Sequence, residues 1–223
     1  MSEGTGKKVG VVLSGCGVND GAEIHEATLT LLSLDRAGAQ VVAMAPNVAQ
    51  MHVVDHVAGA PADGEQRNVL VESARIARGA IRDMAEVDAT ELDALVFPGG
   101  FGAAKNLCSF AVDGASMTVN PDVDRLIKQM VDAKKPLGFI CIAPVIAAKV
   151  LGELSPRLTI GNDEGTAGAM ESLGATHVES PVEEAVVDQN LKIVSTPAYM
   201  LGPSIAPVAS GIENLVEEVL RMA

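Results

Sequence analysis

The run Leu137-Gly138-Phe139-Ile140-Cys141-Ile142-Ala143-Pro144 constrains the fold more than any other stretch of this chain. It follows Lys134-Lys135-Pro136 without a polar residue, the pattern of a parallel strand buried on both faces by helices. Pro144 suits the first turn of a following helix, where its missing N–H costs nothing. Strand, sharp turn and helix therefore meet at Cys141. In such a nucleophile elbow the turn residue is held in a strained conformation, exposed at the carboxyl edge of the sheet. The adjacent helix N-terminus, with its partial positive charge, favours thiolate over thiol. Cys141 is the candidate nucleophile. The competing interpretation is a packed structural cysteine, and the turn, Pro144 and a preceding Pro-Gly-Gly loop weigh against it.

The rest of the chain repeats strand and helix. Lys8 to Leu13 is a short apolar strand, and Glu23 to Ala37 carries helical spacing, with Ile24, Ala27, Leu31 and Leu34 on one face. Gly38 stands where a helix-ending glycine belongs, and Gln40 to Ala45 is the next strand. This βαβ unit makes the sheet parallel. Residues 46–66 read as an irregular connection, Asn68 to Arg78 as a helix, and Ala94 to Phe97 as a buried strand running into the loop Pro98 to Asn106. Asn120 and Pro121 open a helix to about Ala133 as N-cap and first helical residue. Beyond the elbow, strands are expected at Leu158 to Gly161 and Thr176 to Val178, and a helix at Thr166 to Leu173. A hairpin at 185–196 and an amphipathic helix from Ile205 to Met222 follow. The pattern is that of a doubly wound α/β fold, a mostly parallel sheet with helices on both faces, and of one domain across residues 1–223. With 2% aromatic residues and no Trp, its core must be aliphatic.

In a doubly wound sheet the loops at the carboxyl ends of central strands converge, so Cys16, Gly99-Gly100 and Cys141 should face one crevice. There the backbone N–H groups around Gly99, Gly100 and Ile142, chiefly those of Gly100 and Ile142, are placed to receive an oxyanion formed on a carbonyl attacked by Cys141. Glu23 and Glu26 lie one helical turn apart at the start of the first helix, beneath the same crevice, and either is a candidate partner for the thiol. A carboxyl beside a thiolate would be protonated and donate a hydrogen bond, or act as base once the sulfur has reacted. The plain alternative is an acid that complements the helix dipole.

His25, beside Glu26, and His177, which follows the nucleophile in sequence, are accessory candidates, each with a structural reading beside it. His52 and His56 have i, i+4 spacing without a third ligand, so no metal is expected. The loop Gly15 to Gly21 has one residue too many for the dinucleotide fingerprint, and Gly99 to Lys105 lacks the spacing and the Ser/Thr of a P-loop, so no nucleotide or other cofactor is expected.

A formal charge of −13 argues against nucleic acid and against anionic membrane surfaces, and no apolar run is long enough to span a bilayer. Three widely spaced cysteines read as free thiols in a reducing compartment. Residues 1–8 are polar and run straight into a strand, leaving no room for a signal peptide, and a cytoplasmic location is expected.

Four segments, Ser14 to Glu26, Phe97 to Leu107, Gly138 to Pro144 and Ser195 to Met200, resemble the enhancing-lycopene-biosynthesis group of the PfpI-like branch of the class I glutamine amidotransferase superfamily. The resemblance covers essentially the whole chain. It implies a flavodoxin-like sandwich, a homodimer, Cys141 as nucleophile and Glu26 as its acidic partner. It also implies cofactor-free conversion of a small aldehyde, glyoxal, to glycolate, or deglycation of proteins. The branch's histidine falls near Asn162 and the His-x-Glu of a glutaminase near Thr196 to Tyr199, and neither is present, so glutamine hydrolysis is not expected. Two further readings stay open: a regulatory protein linked to isoprenoid biosynthesis, and a redox sensor in which Cys16 resolves an oxidised Cys141.

Overall fold

The computed structural model describes residues 6–223. Residues 1–5, part of the polar lead weighed against a signal peptide, lie outside the described residues. The strands are β1 (Lys8–Val12), β2 (Gln40–Ala45), β3 (Val54–Asp55), β4 (Ala60–Pro61), β5 (Arg82–Asp83), β6 (Ala94–Phe97), β7 (Leu137–Ile140), β8 (Arg157–Leu158), β9 (Thr176–His177), β10 (Val186–Asp188) and β11 (Ile193–Thr196). The helices are α1 (Ile24–Arg36), α2 (Val69–Ile76), α3 (Phe101–Lys105), α4 (Phe110–Asp113), α5 (Pro121–Asp132), α6 (Pro144–Leu151), α7 (Glu164–Ser172) and α8 (Ile205–Met222). Seven strands form one sheet in the order β10-β11-β7-β6-β1-β2-β5, parallel except for the β10–β11 hairpin. This is the doubly wound architecture expected from the sequence. Among the described residues no helix is long and apolar enough to cross a membrane.

Alternation along the central strands sorts the core into two layers. Leu95, Phe97, Leu137 and Phe139 join the layer that holds α5 and α6, through Leu126, Ile127, Val145 and Ile146. Val9, Val11, Val96 and Ile140 join the opposite layer with α1 and α8, through Leu34, Ile212, Leu215 and Val219. Phe97 and Phe139 stack with centroids 4.9 Å apart, an aromatic contact in an otherwise aliphatic core. A side chain at Gly138 would come within 3.0 Å of Leu215 and 3.2 Å of Val219, so the glycine admits α8 close to β7.

The capping residues do as their chemistry dictates. Asn120 accepts the N–H groups of Asp122 and Val123 with Pro121 at the first helical position, and Asn68 accepts that of Val71. Gly38, at φ 70°, follows α1. Two local expectations are corrected, and one strand is added where none was expected. The connection 46–66 contains the β3–β4 ladder, and β5 adds an edge strand, each only two residues per strand and too short to carry a period. The expected loop after β6 forms α3, because Phe101 and Gly102 donate their N–H groups to Val18 and Gly21 and so dock the turn on the first loop.

Candidate active site

Cys141 sits between β7 and α6 at φ 62°, a left-handed conformation that a side chain rarely adopts, and its N–H donates to Thr196 at 2.9 Å. Pro144 begins α6, as the elbow requires. The expected exposure does not hold. Cys141 is 8% exposed, and burial, followed by the charge of Glu26, pushes its thiol well above the ordinary cysteine range. The helix N-terminus therefore does not leave a free thiolate in the resting protein. The N–H groups of Gly100 and Ile142, expected to face an oxyanion, donate to the sulfur itself.

Glu26 is fully buried in the first turn of α1. The N–H of Gly99 reaches its Oε2 at 3.0 Å and that of Tyr199 its Oε1 at 3.2 Å, so Gly99 serves the acid rather than an oxyanion. The Cys141 thiol donates to the same carboxyl. Burial is the largest influence and raises the Glu26 pKa to about 8, against the three hydrogen bonds that favour its charge. Both groups of the pair are held toward their neutral forms by the same lack of water. Gly99 makes this approach possible: a methyl there would lie 2.5 Å from the Cys141 Cβ and 2.7 Å from Glu26 Oε2.

The two glutamates left open by the sequence have separate jobs. Glu23 is the N-cap of α1, its Oε2 accepting the N–H of Glu26 at 2.7 Å while its own N–H donates to Gly99 at 2.9 Å. Glu26 alone reaches the sulfur. His25 does not line the Cys141 cavity and pairs through Nδ1 with the Tyr199 hydroxyl at 2.8 Å. His177, in β9, accepts the N–H of Ile160 at 3.5 Å and does not line the Cys141 cavity. His56 accepts the Asn19 N–H at 3.2 Å and lies 3.9 Å from Asp20. Among the described residues no three His, Cys, Asp or Glu side chains gather as a metal site would need.

Cys16 is not brought to Cys141. Its charged neighbours are Arg75, Glu72, Asp20 and Arg67, none of which lines the Cys141 cavity, and burial raises its thiol pKa. The expectation of one crevice holding both cysteines is thus corrected, because the loop at Gly15 and Gly17 turns Cys16 toward α2, where Ser73 accepts the Gly15 N–H at 2.9 Å.

A cavity of about 370 Å³ opens over Cys141. Its apolar wall is built by Val18, Phe101, Ala104, Phe110, Ile142 and Met200, and its polar groups are Glu23, Asp163, Thr166 and Tyr199. Of these, Phe110, Asp163, Thr166, Tyr199 and Met200 lie outside the loops that the sequence reading brought to the crevice. The vacancy expected near Asn162 for the branch's histidine is next to Asp163, which caps α7 and faces the cavity. A cap signal was present in Asp163-Glu164-Gly165-Thr166, but nothing in sequence tied that cap to the elbow.

The DJ-1/PfpI family profile matches residues 16–200. The human glutamine amidotransferase-like class 1 domain-containing protein 3, mitochondrial, is 51% identical, with 96% of this chain and 83% of that protein covered. The rat ES1 protein homolog, mitochondrial, is 50% identical over 96% of this chain and 84% of its own length. A crystal structure of an isoprenoid biosynthesis protein with an amidotransferase-like domain from Ehrlichia chaffeensis superposes with a TM-score of 0.90 at 38% identity, covering 97% of this chain and 99% of that one. The mitochondrial designation of both mammalian relatives overturns the expectation of a cytoplasmic location. Family profile, relatives and superposition together place the chain in the DJ-1/PfpI family, with a class I glutamine amidotransferase-like fold.

Proposed function

We propose that this protein is a cofactor-independent glyoxalase of the ElbB type, converting glyoxal to glycolate through Cys141, with protein deglycation as a related activity. The observation that carries the reading is the Cys141–Glu26 pair: a thiol at a strained elbow, hydrogen-bonded to a wholly buried carboxyl whose pKa is about 8. An acid–base group works best near the operating pH, and burial has brought this one there.

The sulfur adds to one aldehyde carbon of glyoxal and the thiol proton passes through Glu26 to the carbonyl oxygen, giving a hemithioacetal. Ionised Glu26 takes the C–H proton from that carbon and returns it to the neighbouring one, which leaves a hydroxyacetyl thioester. Water cleaves the thioester to glycolate and restores the thiol. Oxidation of one carbon is balanced by reduction of the other, so the steps need no outside oxidant or reductant. The N–H groups of Gly100 and Ile142, which hold the resting sulfur, are the donors this reading assigns to the oxygen that becomes negative.

Glutamine hydrolysis is disfavoured by the cavity itself, since among the described residues lining it none is a histidine to serve the thiol. Incubation with glyoxal and measurement of glycolate tests the proposal: activity is expected in the wild type and absent in Cys141→Ala, and equal turnover by the two would overturn it. A regulatory role tied to isoprenoid biosynthesis, suggested by the Ehrlichia chaffeensis neighbour, instead predicts no glycolate from the wild type and a bound partner in its place. The family resemblance also carries a homodimer, which analytical ultracentrifugation would test.

A further inference from the structure

We propose that the cavity over Cys141 selects electrophilic carbonyl compounds that are uncharged or cationic and carry an apolar substituent, and that it turns away compounds bearing a carboxylate. The inference rests on Cys141 being the reactive group and specifies what reaches it.

Size comes first. Glyoxal is about as large as two or three waters at roughly 30 Å³ each, and it fills a small part of a cavity of about 370 Å³. The remaining space is bounded largely by apolar groups: Phe101, Phe110, Val18 and Met200 form much of its wall. Such a surface gains by covering an apolar group next to the reacting carbonyl.

Charge comes second. Two carboxyl side chains, Glu23 and Asp163, line the cavity, and among the described residues lining it none is Lys, Arg or His. Lys105 stands behind the wall, 5.2 Å from the centroid of the Phe101 ring, with its Nζ donating to the Asn19 carbonyl at 2.8 Å. It is not free to meet a ligand carboxylate. The three longest helices that begin at the site already have acceptors for N–H groups of their first turns: Glu23 accepts the Glu26 N–H of α1, Asp163 accepts the Thr166 N–H of α7, and the Ile142 N–H before α6 is given to the sulfur. An anionic substrate would find no counter-charge and two like charges, whereas an ammonium or a neutral carbonyl group would not be opposed.

The test is alkylation of Cys141 in the full-length protein, followed by peptide mass spectrometry, with iodoacetamide, iodoacetate and N-benzyliodoacetamide. Each rate is divided by that of N-acetylcysteine with the same reagent. The normalised preference for iodoacetamide over iodoacetate is expected to be about tenfold, the scale of carboxylates acting across a partly buried gap. N-benzyliodoacetamide is expected to match or exceed iodoacetamide. The double variant Glu23→Gln/Asp163→Asn should bring the charge preference to within about twofold of unity, and Phe110→Ala should remove the benzyl advantage. Should Glu23→Gln prevent folding, Asp163→Asn alone keeps the α7 cap and is expected to lower the preference by at least threefold. A normalised preference near unity in the wild type, a preference unmoved by neutralising Asp163, or exclusion of the benzyl reagent would each overturn the proposal. Alkylation needs no turnover, so failure of the glyoxalase assay and failure of this selectivity are separate results.

Discussion

Replacing Glu26 with Gln removes an ionisable group from the centre of the site while retaining a side chain of the same length. The wild-type carboxyl moves from an ordinary value of 4.5 to about 8 on folding, chiefly because it is buried. Below pH 4.5 it is protonated in both the folded and unfolded chains and has no influence on the pH dependence. Between pH 4.5 and 8 the unfolded chain has lost this proton and the folded chain has kept it, so stability falls as pH rises. At about 1.4 kcal/mol per pH unit the whole interval is worth about 5 kcal/mol. Urea unfolding of both proteins from about pH 5 to about pH 8 samples most of it. The stability of the wild type relative to Glu26→Gln is expected to decline by about 4 kcal/mol over that range. Cys141 does not confuse the result, because its thiol is held well above 9 and titrates later. Parallel pH profiles for the two proteins would show that the folded carboxyl ionises normally, and the account of the site as a neutral buried pair would fail.

The same substitution should speed alkylation of Cys141 several-fold at about pH 8.5, since the charge and hydrogen bond of Glu26 both raise the thiol pKa; a slower rate would mean that the acid stabilises the thiolate instead. Gly99→Ala is expected to cost about 2 kcal/mol or more and to abolish thiol reactivity, because its methyl would fall 2.5 Å from the Cys141 Cβ; thermal unfolding and alkylation measure the two effects. Tyr199→Phe loses only the contact with the exposed His25 and keeps the backbone N–H that serves Glu26, so a loss of no more than about 1 kcal/mol in chemical denaturation is expected.

The sheet was legible because its central strands are continuous apolar runs bounded by turns, and because the helices between them carry caps that chemistry restricts to few residues. β2, β6 and α8 match the sequence reading residue for residue. β3, β4 and β5 were invisible, since two residues make no period. At the site, Cys141 was found from its turn and Pro144, whereas Phe110 belongs to a segment with no chemical signature of its own, and the cap signal at Asp163 carried nothing that tied it to the elbow.

By itself the sequence determined the alternation of strand and helix, the strained turn at Cys141 and the presence of two acids at the start of α1, all of which follow from near neighbours in the chain. Tertiary structure decided which acid meets the thiol and in what protonation state. Glu23 and Glu26 are equivalent in composition and differ by one helical turn, yet one caps its helix and the other is driven between β6, β7 and the segment after β11. The same packing separates Cys16 from Cys141. It also converts the elbow from an exposed thiolate, as the helix terminus alone would make it, into a buried pair held neutral. Desolvation depends on every surrounding element at once, so no local pattern of residues encodes it.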